Sequence, residues 1–201
     1  MLSEYSGRRA VVLAIPNGGV PLGIEVATAL KADLEVLVCR KLALPMNPEG
    51  GLGAVAEDGT QILNQDVIER DKISPEQVDY EAQKVKANVR ERSQKYREIL
   101  PPGRLVGRAA IIVDDGLASG ITMQVAVESV RHRRPKEVIA AVPVASNTGY
   151  KRAAAAADRV VCCATASQTR FYLADFYKNW RDIADDETGR YLKRWREQHP
   201  S

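Results

Sequence analysis

Cysteine, histidine and long apolar runs are all scarce in this sequence of 201 residues. The three cysteines form neither a disulfide framework nor a metal-binding motif, and Cys39, Cys162 and Cys163 are interpreted as strand residues in a reducing compartment. No signal-peptide pattern is present, and no apolar run approaches the roughly 18 residues that a membrane span needs. We therefore expect a soluble, cytoplasmic protein without membrane partners. The two histidines, His132 and His199, lie in no group of candidate site residues.

Charge of either sign is also far from dominant, because the net charge is +3 and the pI is about 8.8. A mildly basic chain attracts anionic metabolites, but it falls well short of the charge that nucleic-acid binding requires unless the basic residues cluster. The one basic cluster, residues 131–134, is predicted in the last turn of a helix, where cations complement the helix dipole. We therefore expect small-molecule partners and no nucleic acid. The 45% hydrophobic content is enough for the core of a single domain over residues 1–201.

Short apolar runs alternate with helical stretches along the chain. Apolar strands separated by helices are typical of a parallel sheet covered on both faces. We therefore predict an α/β fold: a doubly wound, mostly parallel five-stranded sheet over about residues 10–165, with a small hood from the C-terminal segment, about 166–201. In such sheets ligands bind beyond the carboxyl ends of the strands. The predicted strands are residues 11–15, 34–39, 109–113, 138–144 and 159–164.

Two adjacent acids, Asp114 and Asp115, follow the third of these strands and precede a loop of small residues that opens a helix. Such a loop offers free N–H groups and the positive end of the helix dipole to a phosphate. The carboxylates repel a phosphate, but they accept hydrogen bonds from hydroxyl groups. The pattern therefore favours a ligand with vicinal hydroxyls near its phosphate, such as ribose 5-phosphate. A plain turn followed by a helix N-cap is the alternative, since it uses the same residue types.

The run from Val113 to Met123, VDDGLASGITM, resembles the 5-phosphoribosyl pyrophosphate (PRPP) signature of type I phosphoribosyltransferases. In that family the acidic pair holds the 2′ and 3′ hydroxyls of the ribose, and the loop wraps the 5′-phosphate. In some purine enzymes of the family an acid in the loop assists the purine nitrogen, and Ala118 stands at that position here. The resemblance thus makes guanine and hypoxanthine less favoured acceptors. It implies that Asp114 and Asp115 bind the ribose and that the 5′-phosphate is bound by Ala118, Ser119, Gly120, Ile121 and Thr122.

A glycine-rich turn, Asn17-Gly18-Gly19, follows the first predicted strand. Two glycines before a helix permit the close backbone approach that a phosphate needs, although such turns also occur in dinucleotide-binding folds and as plain tight turns. Together with the acidic pair, the turn resembles the pyrophosphate loop of the family. Close relatives in the resembling family often carry Arg where this chain has Asn17. We therefore expect Asn17, Gly18 and Gly19 to bind the pyrophosphate without the cation usual at this position.

Arg40 and Lys41 are predicted at the end of the second strand, where their charges would neutralise the departing pyrophosphate. Lys41 joins the two acids as a candidate catalytic residue, and a solvated strand exit is the alternative interpretation. The following segment, about 42–59, contains Pro45, Pro48 and several glycines. It is predicted as a mobile loop that closes over the site, as a loop in this region does in the resembling family.

Residues 74–100 are predicted as one long helix, with Ser74 as N-cap and Gln77 completing a capping box. The narrow apolar stripe of this helix is interrupted at Arg92. A stripe of this width indicates packing on the same domain or on a second subunit, so a homodimer is left open.

The tail concentrates aromatic residues, and Tyr172, Phe176 and Trp180 fall at helical spacing. Core packing is the first interpretation, and stacking on an acceptor base is the alternative. The tail resembles that of a bacterial phosphoribosyltransferase-like group sometimes found beside or fused to hydrolases. Members of that group carry a helix ahead of the first strand. This chain starts about ten residues before that strand, so we expect it to be shortened there.

The resemblance implies an enzyme of nucleotide or nucleoside metabolism that transfers the 5-phosphoribosyl group from PRPP to a nitrogenous base and releases pyrophosphate. Mg²⁺ would arrive with PRPP, without direct protein ligands and with water-mediated contacts to Asp114 and Asp115. Asn17 and the short N terminus favour an alternative, a PRPP- or nucleotide-binding regulatory module without turnover. An unrelated nucleotide-binding domain is disfavoured by the acidic pair.

Overall fold

The computed structural model of the chain describes residues 1–7, 10–44, 47–167 and 171–200, and for residues 47–50 it describes the backbone alone. The strands in these ranges are β1 (Ala10–Ala14), β2 (Asp33–Val36), β3 (Cys39–Leu44), β4 (Asn47–Ala56), β5 (Gln61–Leu63), β6 (Ala109–Val113), β7 (Glu137–Ser146) and β8 (Arg159–Ala166). The α-helices are α1 (Gly19–Leu30), α2 (Gln65–Arg70), α3 (Pro75–Ile99), α4 (Ile121–Arg131), α5 (Asn147–Ala156) and α6 (Asp185–Gln198).

The main sheet has five strands in the order β2-β1-β6-β7-β8, and all neighbours pair in parallel. The order runs outward in both directions from β1 and β6, as in a doubly wound sheet. The two central strands are fully buried because helices cover both faces. The predicted fold class is therefore confirmed.

Alternate residues of the central strands supply two apolar layers. Val11 and Ile112 pack with α4 on one face, whereas Val12 and Ile111 pack with α1, α3 and α6 on the other. This arrangement fixes the carboxyl ends of β1 and β6 next to each other, since Ala14 pairs with Val113. The turns that follow these two strands therefore meet at one edge of the sheet.

The segment 42–59, predicted as a loop, instead belongs largely to a second, antiparallel sheet in the order β3-β4-β5. Glycine suits this sheet where the backbones of the paired strands β4 and β5 lie very close: a Cβ on Gly53 would lie 2.1 Å from the carbonyl oxygen of Ile62. Arg40 and Lys41 accordingly lie inside β3 rather than at the end of the second strand, which stops at Val36. Pro45 lies outside the described residues. Movement of this sheet over the site stays a prediction.

The long helix α3 is confirmed, and its N terminus carries the predicted capping box. The hydroxyl of Ser74 accepts from the backbone N–H of Gln77 at 3.3 Å, and the Gln77 side chain accepts from the Ser74 N–H at 3.0 Å. Among the residues described, no helix combines the length and apolarity that crossing a bilayer demands.

The helical face predicted for Tyr172, Phe176 and Trp180 is wrong. Only a short 3₁₀ turn, Leu173–Phe176, forms there, and all three side chains are exposed. Residues 177–184 run without regular structure across the carboxyl edge of the main sheet, because tertiary hydrogen bonds hold them there. The Tyr177 hydroxyl donates to the backbone carbonyl of Asp115 at 2.6 Å, and a side chain from the β1–α1 turn donates to the carbonyl of Ile183.

Candidate active site

The two adjacent acids lie at the carboxyl end of β6, in the middle of the main sheet. Strand β6 presents only buried residues to the sheet, and its last residue, Val113, delivers Asp114 and Asp115 to the edge. The backbone N–H of Asp115 donates to Oδ1 of Asp114 at 2.9 Å, which orients the first carboxylate. Both side chains are half-buried, so their charges are only partly solvated.

Burial perturbs both carboxyl groups. It raises the pKa of Asp114 well above its ordinary value, and the negative charge of Asp115 raises it further. Burial also raises the pKa of Asp115. The positive charge of Lys41 opposes the shift in the Asp114 pKa, and Lys41 lines the same cavity as the acidic pair. Carboxylates in such surroundings are stabilised by a cation or by several hydroxyl donors.

The loop after the acidic pair is anchored through its carbonyl groups to the N-terminal region of α5. The Ala118 carbonyl accepts from the Ser146 hydroxyl at 2.5 Å, and the Ser119 carbonyl accepts from Nη1 of Arg152 at 2.7 Å. Because a trans peptide points its C=O and N–H in opposite directions, the N–H groups of Ser119 and Gly120 face away from these partners. Neither N–H has a hydrogen-bond partner among the described residues.

Two glycines permit this loop conformation. Gly120 has a φ of +74°, and a Cβ there would lie 2.7 Å from the carbonyl oxygen of Gly149. A Cβ on Gly149 would lie 2.5 Å from the carbonyl oxygen of Leu117. The start of α4 is therefore pressed against the start of α5, and side chains at either glycine would force them apart.

A cavity of about 210 Å³ lies between the loop and β3. The loop with its unpaired N–H groups, both acidic residues and Lys41 all line it. Ile121, predicted as part of the phosphate loop, does not line this cavity: its side chain is buried in the core and its N–H donates to the Ser119 hydroxyl at 3.4 Å. The size and polarity suit a phosphate group. The lining residues are Lys41, Asp114, Asp115, Gly116, Leu117, Ala118, Ser119, Gly120, Thr122, Met123 and Leu173.

Arg40 and Lys41 point in different directions, as neighbours on a strand do. Lys41 lines the phosphate-sized cavity, whereas Nη1 of Arg40 donates to the side chain of Asn88 on α3 at 3.0 Å. Only one of the two predicted cations therefore faces the acidic pair.

The β1–α1 turn touches the acidic pair directly. A Cβ on Gly18 would lie 1.7 Å from Oδ2 of Asp115, and a Cβ on Gly19 would lie 2.6 Å from the carbonyl oxygen of Val113. The peptide bond between Pro16 and Asn17 is cis. The backbone N–H groups of Asn17 and Gly18 have no hydrogen-bond partner among the described residues, so the turn presents two donors beside Asp115.

The side chain of Asn17 takes part instead in a partly buried hydrogen-bond network that the sequence did not predict. Its Oδ1 accepts from Nη2 of Arg92 at 2.5 Å, and its Nδ2 donates to Oδ1 of Asp185 at 3.0 Å. In the sequence Arg92 showed only as a charge interrupting the apolar stripe of α3. That interruption was the available signal, because a charged residue on a packed helix face needs a partner.

A second, larger cavity of about 490 Å³ lies on the other side of Asp115. The C-terminal segment forms one wall, where the rings of Tyr177 and Trp180 are 5.1 Å apart between centroids and tilted by 60°. The β1–α1 turn and the start of α1 form the other wall. The lining residues are Asn17, Gly18, Pro21, Leu22, Asp115, Tyr177, Asn179, Trp180, Arg181, Asp182, Ile183 and Tyr191.

Within the described residues, the histidines and cysteines stay away from both cavities. His132 contacts Asp58 at 2.9 Å, and His199 stacks on Trp195. The same residues contain no cluster of three or more His, Cys, Asp or Glu side chains that would hold a metal ion by themselves. Any cation at the acidic pair would therefore share its coordination with a ligand or with water.

An acidic pair, a loop with unpaired N–H groups and a glycine turn thus meet at one sheet edge of an α/β domain. Residues 1–174 match the family model of the phosphoribosyl transferase domain, and the chain belongs to that family.

Two Mycobacterium tuberculosis proteins, from strains CDC 1551 and H37Rv and each named "Putative phosphoribosyl transferase", are 38% identical to this chain over 193 residues. The match covers 96% of this chain but only 43% of each relative, so the chain spans less than half of their length. A protein of Thermus thermophilus with a crystal structure shares the fold, with a TM-score of 0.76 and 32% identity over 96% of this chain and 91% of that one.

Proposed function

We propose that the protein transfers the 5-phosphoribosyl group of PRPP to a nitrogenous base and releases pyrophosphate. Family membership supports the general reaction class, and the geometry of the site supports the donor. The observation that carries the proposal is the acidic pair standing between the phosphate-sized cavity and the glycine turn. A molecule with a phosphate, vicinal hydroxyls and a pyrophosphate has the three chemistries that these three features bind.

In this proposal each part of the donor has its own partners. The N–H groups of Ala118, Ser119, Gly120 and Thr122 bind the 5′-phosphate, while Ile121 anchors the loop in the core, and Asp114 and Asp115 accept from the ribose hydroxyls. The backbone N–H groups of Asn17 and Gly18 bind the pyrophosphate, and Gly19, whose N–H donates to the Ile15 carbonyl, permits the close approach of the turn. The charge of Lys41 stabilises the pyrophosphate as it leaves, and Arg40 adds positive charge from a greater distance.

The site also fits a magnesium ion that arrives with the donor. Two adjacent carboxylates with raised pKa values lack a full complement of counter-charge, and oxygen donors are what Mg²⁺ prefers. Asp114 and Asp115 are the residues that would hold it, through water or through the ribose hydroxyls. When bound, the ion would supply positive charge to the pyrophosphate as this group departs.

The reaction breaks the bond between C1 of the ribose and the pyrophosphate oxygen, and the electron pair leaves with the pyrophosphate. A base nitrogen then forms the new bond to C1, and its proton passes to water or to the departing pyrophosphate. The protein contributes positioning and charge stabilisation. No loop carboxylate stands at Ala118 to take that proton.

We place the acceptor in the larger cavity, since it shares Asp115 with the donor site and has an aromatic wall on which a flat ring stacks. Trp180 and Tyr177 are the candidates for that contact. We further infer a role in nucleotide or nucleoside metabolism in the cytoplasm, and the same activity for the corresponding part of the longer relatives.

The experiment combines binding with turnover. The protein is incubated with PRPP, Mg²⁺ and a panel of nucleobases while pyrophosphate release is measured, and PRPP binding is followed by calorimetry. Release that requires a particular base supports the transferase. PRPP binding without release under any base supports the regulatory module instead, and absence of PRPP binding overturns both.

A matched pair of double variants tests the site. Asp114→Asn/Asp115→Asn should abolish PRPP binding. Asp66→Asn/Asp71→Asn removes the same charge from exposed positions at and just after α2, and it should leave PRPP binding unchanged. Equal PRPP affinity in the two double variants would show that the acidic pair does not bind the donor.

A further inference from the structure

Helix α3 carries a buried arginine in contact with the glycine turn. The side chain of Arg92 is only 6% exposed, and its Nη2 lies 2.6 Å from Oδ1 of Asp185, the first residue of α6. The same Nη2 donates to Oδ1 of Asn17 at 2.5 Å. One guanidinium group therefore connects α3, the turn after β1 and the C-terminal helix.

The amide of Asn17 is fully occupied by this network. Its oxygen accepts from Arg92 and from the Tyr96 hydroxyl at 3.3 Å. Its nitrogen donates to Asp185 and to the carbonyl of Ile183 at 2.6 Å. Since an amide side chain offers two donors and two acceptor positions, none remains for a ligand. Asn17 can meet a pyrophosphate only through its backbone.

The network carries excess positive charge. Nη1 of Arg40 donates to Asn88, which lies one helical turn before Arg92 on α3, so the two guanidinium groups are neighbours. Burial lowers the pKa of Arg40, and the positive charge of Arg92 lowers it further. Asp185 is the carboxylate that opposes them both, and it is shared. Position 17 of the turn has no cation, but Arg40 from β3 and Arg92 from α3 supply positive charge beside it.

Burying Arg92 in this way lowers the free energy of unfolding, which a contact with only a structural purpose would not explain. Nε of Arg92 is buried and has no hydrogen-bond partner in the described part of the chain. Burying a guanidinium group with an unsatisfied donor costs free energy, and an apolar side chain of similar size would fill the space more cheaply. Such a group is expected where a precise geometry is needed.

The partner of Arg92 also lies outside the part of the chain that defines the family. The phosphoribosyl transferase model matches residues 1–174, whereas Ile183 and Asp185 lie beyond it. Helix α6 packs against α1 and α3 and is therefore in place to support the turn from behind.

We propose that Arg92 is a positioning residue for the pyrophosphate: through Asn17 and Asp185 it fixes the β1–α1 turn so that the backbone N–H groups of Asn17 and Gly18 meet this group. The inference rests on the proposed function. It gives α6 a part in donor binding. Asn17 connects Arg92 and Asp185 to the turn, and its side chain does not itself bind the pyrophosphate.

The test compares three ligands, each titrated with Mg²⁺ by calorimetry: PRPP, pyrophosphate and ribose 5-phosphate. Arg92→Lys keeps the charge but loses the planar contacts, and Asp185→Asn weakens the orientation of Arg92 at a half-exposed position that tolerates substitution. Each variant should bind PRPP and pyrophosphate roughly tenfold more weakly, because the β1–α1 turn loses a hydrogen bond to a charged group that holds it in the binding geometry. Affinity for ribose 5-phosphate should stay within about twofold, because its contacts are elsewhere.

The chain provides a matched control one residue further along α6. Lys95 and Asp186 form an ion pair of 3.0 Å between the same two helices, but both side chains are exposed. Lys95→Met and Asp186→Asn should leave all three affinities unchanged.

The ratio of the affinities for pyrophosphate and ribose 5-phosphate decides the outcome. A purely structural role predicts equal losses for all three ligands, or a lowered melting temperature with no loss, and either result overturns the proposal. If Arg92→Lys does not fold, Asp185→Asn alone decides. If the unmodified protein binds neither PRPP nor ribose 5-phosphate, the proposed function fails, and this inference fails with it.

Discussion

The substitution Gly18→Ala tests how closely the glycine turn and the acidic pair are packed. The backbone of Gly18 has a φ of −60° and a ψ of −33°, so alanine is acceptable there on conformational grounds alone. The added Cβ would lie 1.7 Å from Oδ2 of Asp115, and real Cβ contacts essentially never fall below 3.0 Å. The carboxylate or the turn must therefore move by at least 1.3 Å, the difference between these two distances.

A displacement of this size at a reacting centre costs about 100-fold, or about 2.7 kcal/mol of binding or transition-state free energy. We expect the affinity for PRPP, measured by calorimetry with Mg²⁺, to fall by about that factor. Gly189→Ala in α6 is the control, because its Cβ would have ordinary contact with Ile99 at 3.7 Å. This control should bind PRPP normally and should be stabilised by roughly 0.5–1 kcal/mol. PRPP affinity in Gly18→Ala within about twofold of the unmodified protein would refute the reasoning about the close approach.

Two further predictions concern charge. Because burial raises the pKa of Asp114 in the folded protein, the folded state holds this proton above the ordinary value of 3.8, and stability is lost as the pH rises through the folded-state pKa. Asp114→Asn should thus raise the melting temperature of the ligand-free protein at neutral pH, by a margin that vanishes below about pH 4, and a margin that is constant with pH would contradict this. Lys41→Met should weaken PRPP binding roughly tenfold and reduce its salt dependence, whereas Lys95→Met should do neither; titrations at two salt concentrations distinguish them.

The main sheet could be predicted because its signals are local. Each central strand is a short run of apolar residues, and such a run by itself indicates a strand that is buried on both faces. The acidic pair and the small-residue loop are likewise contiguous in the sequence. The glycine turn joins them at one sheet edge because β1 and β6 are neighbours in the parallel sheet. Lys41 does face this edge, although its strand belongs to the second sheet rather than to the main one.

The second sheet could not be predicted from composition. Glycines in a segment with prolines indicate a loop, and only the close antiparallel pairing of β4 with β5 shows that Gly53 is needed inside a strand. The Arg92 network was missed for a related reason. Its partners, Asn17 and Asp185, are 75 and 93 residues away along the chain, so periodicity within α3 carries no trace of them.

Asp115 stands in the wall between the two cavities, and this limits how the protein can be redesigned. Under the proposed function, we expect a change at Asp115, or at Gly18 against which it packs, to alter donor and acceptor binding together. Trp180 and Tyr191 line only the larger cavity. A library that aims at new acceptors while keeping the donor should therefore vary the C-terminal wall and leave the sheet edge untouched.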